Sequence, residues 1–499
     1  MIDRASPPAA RTAVAVVLAT SPAAGLSAGA GSLFDRLIEQ LGRAGVGRTR
    51  AVARSVYAPA IAPGRAEVTP SGSVADDLRA VADLAREAGG PLAVVPGDVV
   101  AHDESLALLL GHPARSTGAL VAAAAEPGAV HPPVRVERGL VAAAGTGFHR
   151  VAEPNASFRG VLLVGQGDLE TLSDAALRLA ELVEAGAFGE PAASDVPALL
   201  LLGLVRSGVR VRAADVRALH CDRVTDQRDA DDAIARLSEV DEKAVRLDSA
   251  VKGDDGWFTT YFVSSWSKYV VLLAARLGLT PNAVTGISVG LAVLAAVWFG
   301  AGTRAGLIAG AVLVYLSFVL DCVDGQLARY TRRFSPMGAW LDATFDRVKE
   351  YVAYVGLAVG FTVAHPGADW IWPMAVGALM LQTTRHMIDF SYAGAQADAV
   401  QALPPRGFET PDDPAQKERG SGAAGAESGA AALSRRFDRT SALRWFKKII
   451  VLPIGERMAL ISLTAALGDA RWTFLALLVW GGLAACYTLA GRVLRSVAK

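Results

Sequence analysis

Residues 321–346 read DCVDGQLARYTRRFSPMGAWLDATFD and place two pairs of aspartates beside long apolar segments. Asp321 and Asp324 are three residues apart, and Asp342 and Asp346 are four apart. Because residues at these spacings share one face of a helix, each pair predicts two carboxylates about one turn apart. Two facing acidic pairs repel each other unless a cation lies between them, and carboxylate oxygens suit Mg²⁺, Mn²⁺ or Ca²⁺ rather than zinc. Ionisable groups beside hydrocarbon are costly and usually functional, so the stretch predicts a divalent-metal site at the ends of two helices.

Apolar segments surround this stretch, and each is near the roughly 20 residues that a helix needs to cross a bilayer. They are 283–300, 305–328, 338–362, 370–391, 449–467 and 472–491. Pro336, in the connection YTRRFSPM, prevents one continuous helix through both aspartate pairs. The pattern predicts an all-α domain of six transmembrane helices over 283–499, with a flexible loop rich in Ala, Gly, Pro and charge at 392–448.

Lysine and arginine residues are divided unevenly between the two ends of these segments. The end that includes the aspartates carries fifteen of them, and the opposite end carries only Arg304 and Arg471. Because positive residues accumulate on the cytoplasmic side, we expect a multi-pass protein of the cytoplasmic membrane with both termini and the aspartates in the cytoplasm. The apolar run after Arg11 superficially resembles a secretory signal, but Asp3 and this topology favour a first β-strand.

The segment 246–282 precedes the first apolar segment and is amphipathic. Its aromatic residues lie close to Lys252 and Lys268 in the sequence, and they are Trp257, Phe258, Tyr261, Phe262 and Trp266. This composition predicts a helix that lies in the membrane interface.

The first 245 residues alternate short apolar runs with amphipathic helical patterns, which predicts an α/β domain with a mainly parallel sheet. The predicted strands are 13–19, 92–95, 117–124 and 160–164, and the predicted helices include 33–44 and 76–88. The chain has 49 basic and 49 acidic residues, and this neutrality argues against a nucleic-acid partner. Cys221, Cys322 and Cys486 are odd in number and far apart, so they indicate neither a disulfide framework nor a zinc site.

Eight positions of the opening stretch carry a resemblance to a known family. They follow the pattern D-x2-D-G-x2-A-R-x8-G-x3-D-x3-D without a gap or substitution, and they are Asp321, Asp324, Gly325, Ala328, Arg329, Gly338, Asp342 and Asp346. The pattern resembles that of the CDP-alcohol phosphotransferases, and the resemblance covers roughly 250–499. It implies an integral-membrane transferase that takes a CDP-alcohol donor and an alcohol or phospho-alcohol acceptor and releases CMP, in phospholipid or inositol-phosphate-type biosynthesis.

The resemblance also implies roles for the aspartates. Asp321, Asp324 and Asp342 would hold Mg²⁺ or Mn²⁺, which polarises the reacting phosphoryl group. Asp346 would be the general base, or in part a further metal ligand. Family members are commonly homodimers, and we expect the same here.

Other motif positions would contact the CDP group. Asp324 would contribute there too, and Gly325, Ala328 and Gly338 are small enough to let a nucleotide approach the backbone, although Gly338 also suits helix packing. Arg329 would pair with a phosphate oxygen or, alternatively, with lipid headgroups. Asn282 and Thr285 lie in a P-N-x-V-T run that the family shares, where they would contact cytidine or simply begin a helix.

Two further arginines are expected inside the apolar region, where a charge needs a partner or a polar ligand. Arg457 and Arg385 are candidates for binding a phosphate of the acceptor, and the alternative is a structural pair of each arginine with a glutamate or an aspartate.

The N-terminal half is similar in order to a sugar-nucleotide nucleotidyltransferase. The runs AVVLAT, SLFDRLIEQLGRAGV, LAVVPGDVV and RVTDQRDADDAIARL carry this resemblance, which would make Asp98 and Asp226 vestigial metal ligands, although a plain turn carboxylate also explains Asp98. That family follows the first strand with a glycine-rich basic loop that binds triphosphate. Here the loop is TSPAAGLSAGAGS, with no basic residue between Arg11 and Arg36, which predicts a degenerate domain.

The fusion of these halves resembles bifunctional enzymes of inositol phosphate chemistry. A bifunctional enzyme whose N-terminal domain also makes the CDP-alcohol is therefore one alternative. A transporter or a scaffold with a non-catalytic acidic cluster is another. Transporter carboxylates are expected nearer the bilayer midplane on broken helices, and the intact aspartate set argues against a scaffold.

Overall fold

The structure is a computed structural model that describes residues 13–29, 31–56, 66–112, 114–123, 127–128, 130–251, 256–401, 445 and 449–497. The chain divides into two compact units, with Arg246 at the end of the first and Leu247 at the start of the second.

The N-terminal unit is built on one large sheet. Its strands are β1 (Ala13–Ala19), β2 (Ser27–Ala28), β3 (Gly31–Ser32), β4 (Val46–Arg54), β5 (Glu67–Ser71), β6 (Leu92–Pro96), β7 (Val99–Ala101), β8 (Gly118–Ala123), β9 (Pro133–Glu137), β10 (Leu140–Ala144), β11 (Ala156–Val164), β12 (Arg212–Asp215) and β13 (Cys221–Arg223). The helices are α1 (Leu33–Arg43), α2 (Val74–Glu87), α3 (Asp103–Leu110), α4 (Leu169–Glu184), α5 (Val196–Arg206) and α6 (Gln227–Leu237), and α7 (Glu242–Ala250) crosses the boundary of the units. The main sheet has the order β5-β4-β1-β6-β11-β8-β12-β10-β9.

The α/β class is confirmed, but the sheet is mixed rather than mainly parallel. β1 runs parallel to β4 and β6, whereas β11 runs antiparallel to β6 and β8. All nine residues of β11 are buried. Burial on both faces does not depend on the direction of a strand, and the chain connections set the direction of β11 instead.

Helices cover both faces of this sheet. Alternate residues of β1 point to opposite faces, as strand geometry requires. Val16 and Leu18 pack with α2, α4 and α5, and Ala15 and Val17 pack with α1 and α3. The result is a three-layer α/β/α unit.

The C-terminal unit is helical. After one turn of π-helix at Thr259–Val263, its helices are α8 (Ser264–Arg276), α9 (Pro281–Gly300), α10 (Arg304–Thr331), α11 (Pro336–Ala364), α12 (Ile371–Gln401), α13 (Ile454–Leu467) and α14 (Ala470–Val497). Thr280, Thr303 and Ser335 cap the first turns of α9, α10 and α11, because each side chain accepts a backbone N–H of that turn.

Six transmembrane helices are not confirmed. Within the described residues, three helices are long and apolar enough to span a membrane. They are Pro281–Gly300, Arg304–Thr331 and Ala470–Val493. α11 and α12 are long enough but less apolar, and α13 has only 14 residues. Leu452, with φ of 50°, and Pro453 interrupt the predicted segment 449–467 just before α13.

The connecting segments differ from expectation in one place. The predicted loop 392–448 begins later, because α12 continues to Gln401, and 402–444 and 446–448 lie outside the described residues.

In the predicted interfacial segment, Trp257, Tyr261 and Phe262 are exposed, as an interfacial role requires.

Candidate active site

Three of the four motif aspartates converge at the junction of α10 and α11. One carboxylate oxygen each from Asp321, Asp324 and Asp342 lies within 4.8 Å of the other two. Asp324 is buried, Asp321 is half-buried and Asp342 is exposed, so the group opens to one side. Three hard oxygen donors at this separation fit a divalent cation, and the acidic cluster could bind a metal.

The turn between the two helices produces this convergence. α10 ends where Arg332 adopts a left-handed conformation with φ of 55°. α11 begins at Pro336, which suits a first helical position, and the N–H of Gly338 donates to Ser335 Oγ at 2.8 Å. The chain thus reverses within a few residues, and the two acidic pairs face each other.

Asp324 is held by a neighbouring helix. The hydroxyl of Thr285, on α9, donates to Asp324 Oδ2 at 2.5 Å, and both residues are buried. The sequence predicted that Thr285 contacts cytidine or belongs to a helix start. In the structure Thr285 lies near the start of α9, and its hydroxyl orients a carboxylate of the cluster.

Asn282 and Gly338 lie together near the cluster, although 56 positions separate them in the sequence. A Cβ atom on Gly338 would lie 2.8 Å from Asn282 Oδ1 and 2.9 Å from Ser335 Oγ. Any side chain at residue 338 would therefore displace the asparagine. The glycine therefore leaves room for the Asn282 amide and the Ser335 hydroxyl at this point of α11.

Gly325 and Arg329 also lie together, one turn apart on α10. A Cβ on Gly325 would lie 3.5 Å from Arg329 Nη1. Arg329 Nε donates to the backbone carbonyl of Ala250, so part of this guanidinium already has a protein partner. Ala328, between them, is half-buried.

Lys349 is the residue of this site that sequence reasoning missed. Its side chain is 4% exposed, and its ammonium group forms ion pairs with Asp321 and with Asp346, the latter at 3.2 Å. The one available signal was its position three residues after Asp346. That spacing is common in exposed helical pairs and gives no indication of burial.

Asp346 therefore differs from the other three aspartates. It is not one of the three whose oxygens converge within 4.8 Å, and its described ionic partner is Lys349. Asp346 therefore lies beside the convergent group and next to the Lys349 ammonium.

The predicted acceptor residues Arg457 and Arg385 have partners within the protein. Arg457 contacts both oxygens of Glu350, at 3.1 and 3.3 Å, and Glu350 is fully buried. Arg385 Nη2 donates to the carbonyl of Val451 at 2.6 Å. Arg457 thus forms the structural ion pair that the sequence left open, and its partner is Glu350. The neighbouring Glu456 accepts the backbone N–H of Phe258 instead.

In the N-terminal unit, the predicted vestigial metal residues have other roles. Arg223 donates to both oxygens of Asp98 at 2.8 Å, and both side chains are at most 5% exposed. Asp226 caps α6 by accepting the N–H of Asp229 at 2.9 Å. The Arg223 guanidinium thus binds both oxygens of Asp98. It neutralises the carboxylate charge that a metal ion would otherwise neutralise.

Part of the C-terminal half is similar to a known family. Residues 278–404, which are less than half of the chain, match the model of the CDP-alcohol phosphatidyltransferase family. The matched range contains all four motif aspartates.

Two curated relatives and one solved structure are similar to parts of the chain. Phosphatidylinositol phosphate synthase of Cutibacterium acnes is 32% identical over 145 residues, which are 28% of this chain and 65% of that protein. Bifunctional IPC transferase and DIPP synthase of Rubrobacter xylanophilus is 33% identical over 150 residues, 30% of this chain and 33% of that protein. The structure of the inositol-1-phosphate CTP transferase from T. maritima aligns with 47% of this chain and 98% of its own, at 14% identity and a TM-score of 0.34. The chain spans less than two thirds of the length of either curated relative.

Proposed function

We propose that the C-terminal unit is a membrane transferase that moves a substituted phosphoryl group from a CDP-alcohol to a hydroxyl of a second alcohol, with release of CMP. The observation that carries this proposal is the convergence of Asp321, Asp324 and Asp342 within the range that matches the CDP-alcohol phosphatidyltransferase model. The convergence of the three carboxylates is a geometric observation, and the match to the family model comes from the sequence, so each supports the proposal separately.

The aspartates would divide the chemistry between them. Mg²⁺ or Mn²⁺, held by Asp321, Asp324 and Asp342, would polarise the reacting phosphoryl group and stabilise the departing CMP. The Thr285 hydroxyl keeps Asp324 turned toward that position. A carboxylate oxygen of Asp346 would accept the proton of the attacking hydroxyl, and this general-base role is worth about 10² to 10⁴ in rate.

The CDP group would lie over the small residues beside the cluster. Gly325, Ala328 and Gly338 leave the helix backbones accessible, and the amide of Asn282 is next to Gly338 and can hydrogen-bond a base or a ribose. Arg329, one turn from Gly325, would pair with a phosphate oxygen of the CDP group.

The acceptor would be a phospho-alcohol. The names of the relatives, a phosphatidylinositol phosphate synthase and an enzyme with IPC transferase activity, favour an inositol-type acceptor. Arg457 and Arg385 would bind the phosphate of the acceptor. Arg457 would then exchange a protein contact for it, because Glu350 and the carbonyl of Leu452 accept from its three guanidinium nitrogens.

We further infer a multi-pass protein of the cytoplasmic membrane that works as a homodimer, with its aspartates facing the cytoplasm. The distribution of Lys and Arg supports the orientation. A second activity in the N-terminal unit is not part of the proposal, because Asp98 is paired with Arg223 and the loop after β1 lacks basic residues.

The proposal is tested with the purified full chain in detergent, Mg²⁺ or Mn²⁺, and a panel of CDP-alcohols crossed with inositol, inositol phosphate, glycerol phosphate and serine. We expect metal-dependent CMP release with at least one pair, and loss of release with EDTA. Absence of CMP release with every pair, in a sample that is folded and monodisperse, would contradict it.

A further inference from the structure

A lysine lies inside the acidic cluster and divides it into two parts. In the first part, one oxygen each of Asp324 and Asp342 converges with one oxygen of Asp321. Asp346 and Asp321 form the other part, and the ammonium of Lys349 contacts both of these carboxylates. Asp321 belongs to both parts and connects them.

The Lys349 ammonium is enclosed on its remaining sides. The hydroxyl of Ser288, on α9, lies 3.4 Å from Nζ. A small cavity beside the lysine is lined mostly by apolar side chains of α9, α10 and α13, among them Ala292, Phe318 and Met458. If the ammonium left its two carboxylates, it would face mostly apolar side chains in this cavity, and the loss of its ion pairs would cost free energy.

A second divalent cation in this cluster would need the carboxylates that the lysine occupies. Two cations in one acidic site usually lie about 3.5–4 Å apart and share a bridging carboxylate. Asp321 is suited to bridge, and Asp346 would complete the second position, but the ammonium already lies between these two residues. A positive charge in that position repels a further cation strongly, because the side chains of Lys349 and Asp321 are largely buried.

We propose that Lys349 supplies the second positive charge of this cluster, so that the chain binds one divalent cation at Asp321, Asp324 and Asp342, and the lysine takes the place of a second. The proposal rests on the proposed function for the presence of the first cation. Lys349 is a positioning residue in this scheme, because it acts on Asp321 and Asp346 rather than on the substrate.

The test counts bound Mn²⁺ in the full chain, purified in detergent, by equilibrium dialysis and by electron paramagnetic resonance. We expect about one Mn²⁺ per wild-type chain. The Lys349→Met variant keeps the length of the side chain and removes its charge, and we expect its count to double and its spectrum to broaden through coupling between two neighbouring ions. Lys349→Arg retains the charge and should bind one.

A matched control is Lys268→Met, since Lys268 also pairs with an aspartate, Asp248, but lies on α8 outside the cluster. Its count should remain at one. Two ions or none on the wild-type chain, or a single ion on a folded Lys349→Met variant, would overturn the proposal. If Lys349→Met does not fold, the wild-type count decides by itself.

Measuring CMP release on the same wild-type sample separates this proposal from the proposed function. CMP release with two bound ions overturns the role of Lys349 and leaves the transferase intact. One bound ion without CMP release from any CDP-alcohol supports the role of Lys349 and contradicts the transferase.

Discussion

At the scale of single residues, the hydroxyl of Thr285 has a task that can be tested separately from the metal ligands. It donates to buried Asp324 at 2.5 Å, and Val has nearly the same shape without a donor. We expect Thr285→Val to weaken metal binding and CMP release by about 10- to 100-fold, because partners of metal ligands commonly contribute that much. The measurement is the Mn²⁺ concentration that gives half-maximal CMP release.

Thr488→Val is the control for this change. Thr488, on α14, donates within its own helix to Ala484 O at 2.9 Å. It should leave the Mn²⁺ dependence unchanged. Equal effects of the two substitutions would show that the Asp324 contact has no special role.

In the N-terminal unit, His131 gives a residue-scale prediction about pH. Burial, with a smaller effect from nearby Arg159, lowers the pKa of His131 from 6.5 to about 4. Its neutral Nε2 accepts the backbone N–H of Arg223 at 3.1 Å, and protonation would remove that acceptor. The unfolded chain takes up this proton near pH 6.5 and the folded chain only near 4, so stability is lost as the pH falls through that window.

We expect the N-terminal unit to lose about 2 kcal/mol of stability between pH 7 and pH 4.5 through His131, after allowance for the partial exposure of its ring. Hydrogen exchange of the full chain, read at the amides of β11 and β13, measures this loss. His131→Gln should reduce the pH dependence. An unchanged slope in that variant would exclude His131 as the cause.

At the scale of elements, glycines on α11 set its distance from α9. A Cβ on Gly356 would lie 2.5 Å from Ala296 O, and one on Gly360 would collide with Phe299 O. Close approach through small residues is how membrane helices commonly pack. Because α9 carries Thr285 and Asn282 and α11 carries Asp342, this contact positions the site.

We expect Gly356→Ala to lower the stability of the C-terminal unit by about 1–3 kcal/mol, since the added methyl group overfills the contact. Tryptophan fluorescence during thermal unfolding measures this unit selectively, because all nine tryptophans follow residue 256. Gly290→Ala, on α9, is the control, because its Cβ would meet nothing within 4 Å. Equal destabilisation by both would refute the close-contact explanation.

The elements also show how much the sequence could predict. The spacing of the aspartates predicted which of them share a helix face. Three of them, Asp321, Asp324 and Asp342, converge across the turn as predicted. The direction of β11 was not predictable, because it depends on connections distant in sequence. The break before α13 had a signal in Pro453, but the apolar residues on both sides of that proline favoured one continuous segment. The burial of Lys349 depends on packing between three helices, which no local pattern records.

At the scale of the whole molecule, the two units are expected to differ in activity. The loop after β1 has no basic residue to neutralise a triphosphate, and Arg223 occupies both oxygens of Asp98. We therefore expect the full chain to release no pyrophosphate from CTP with inositol phosphate or other phospho-alcohols. Coupled pyrophosphate detection, with an active nucleotidyltransferase as positive control, measures this. Metal-dependent pyrophosphate release would establish the bifunctional alternative.

The central claim is that the aspartates divide into metal ligands and a base. Its most direct test measures Mn²⁺ binding and CMP release together in full-length Asp342→Asn and Asp346→Asn chains. We predict that Asp342→Asn loses both, and that Asp346→Asn retains Mn²⁺ binding while CMP release falls by about 10² to 10⁴. Full CMP release by Asp346→Asn, or undiminished Mn²⁺ binding by Asp342→Asn, would contradict the account.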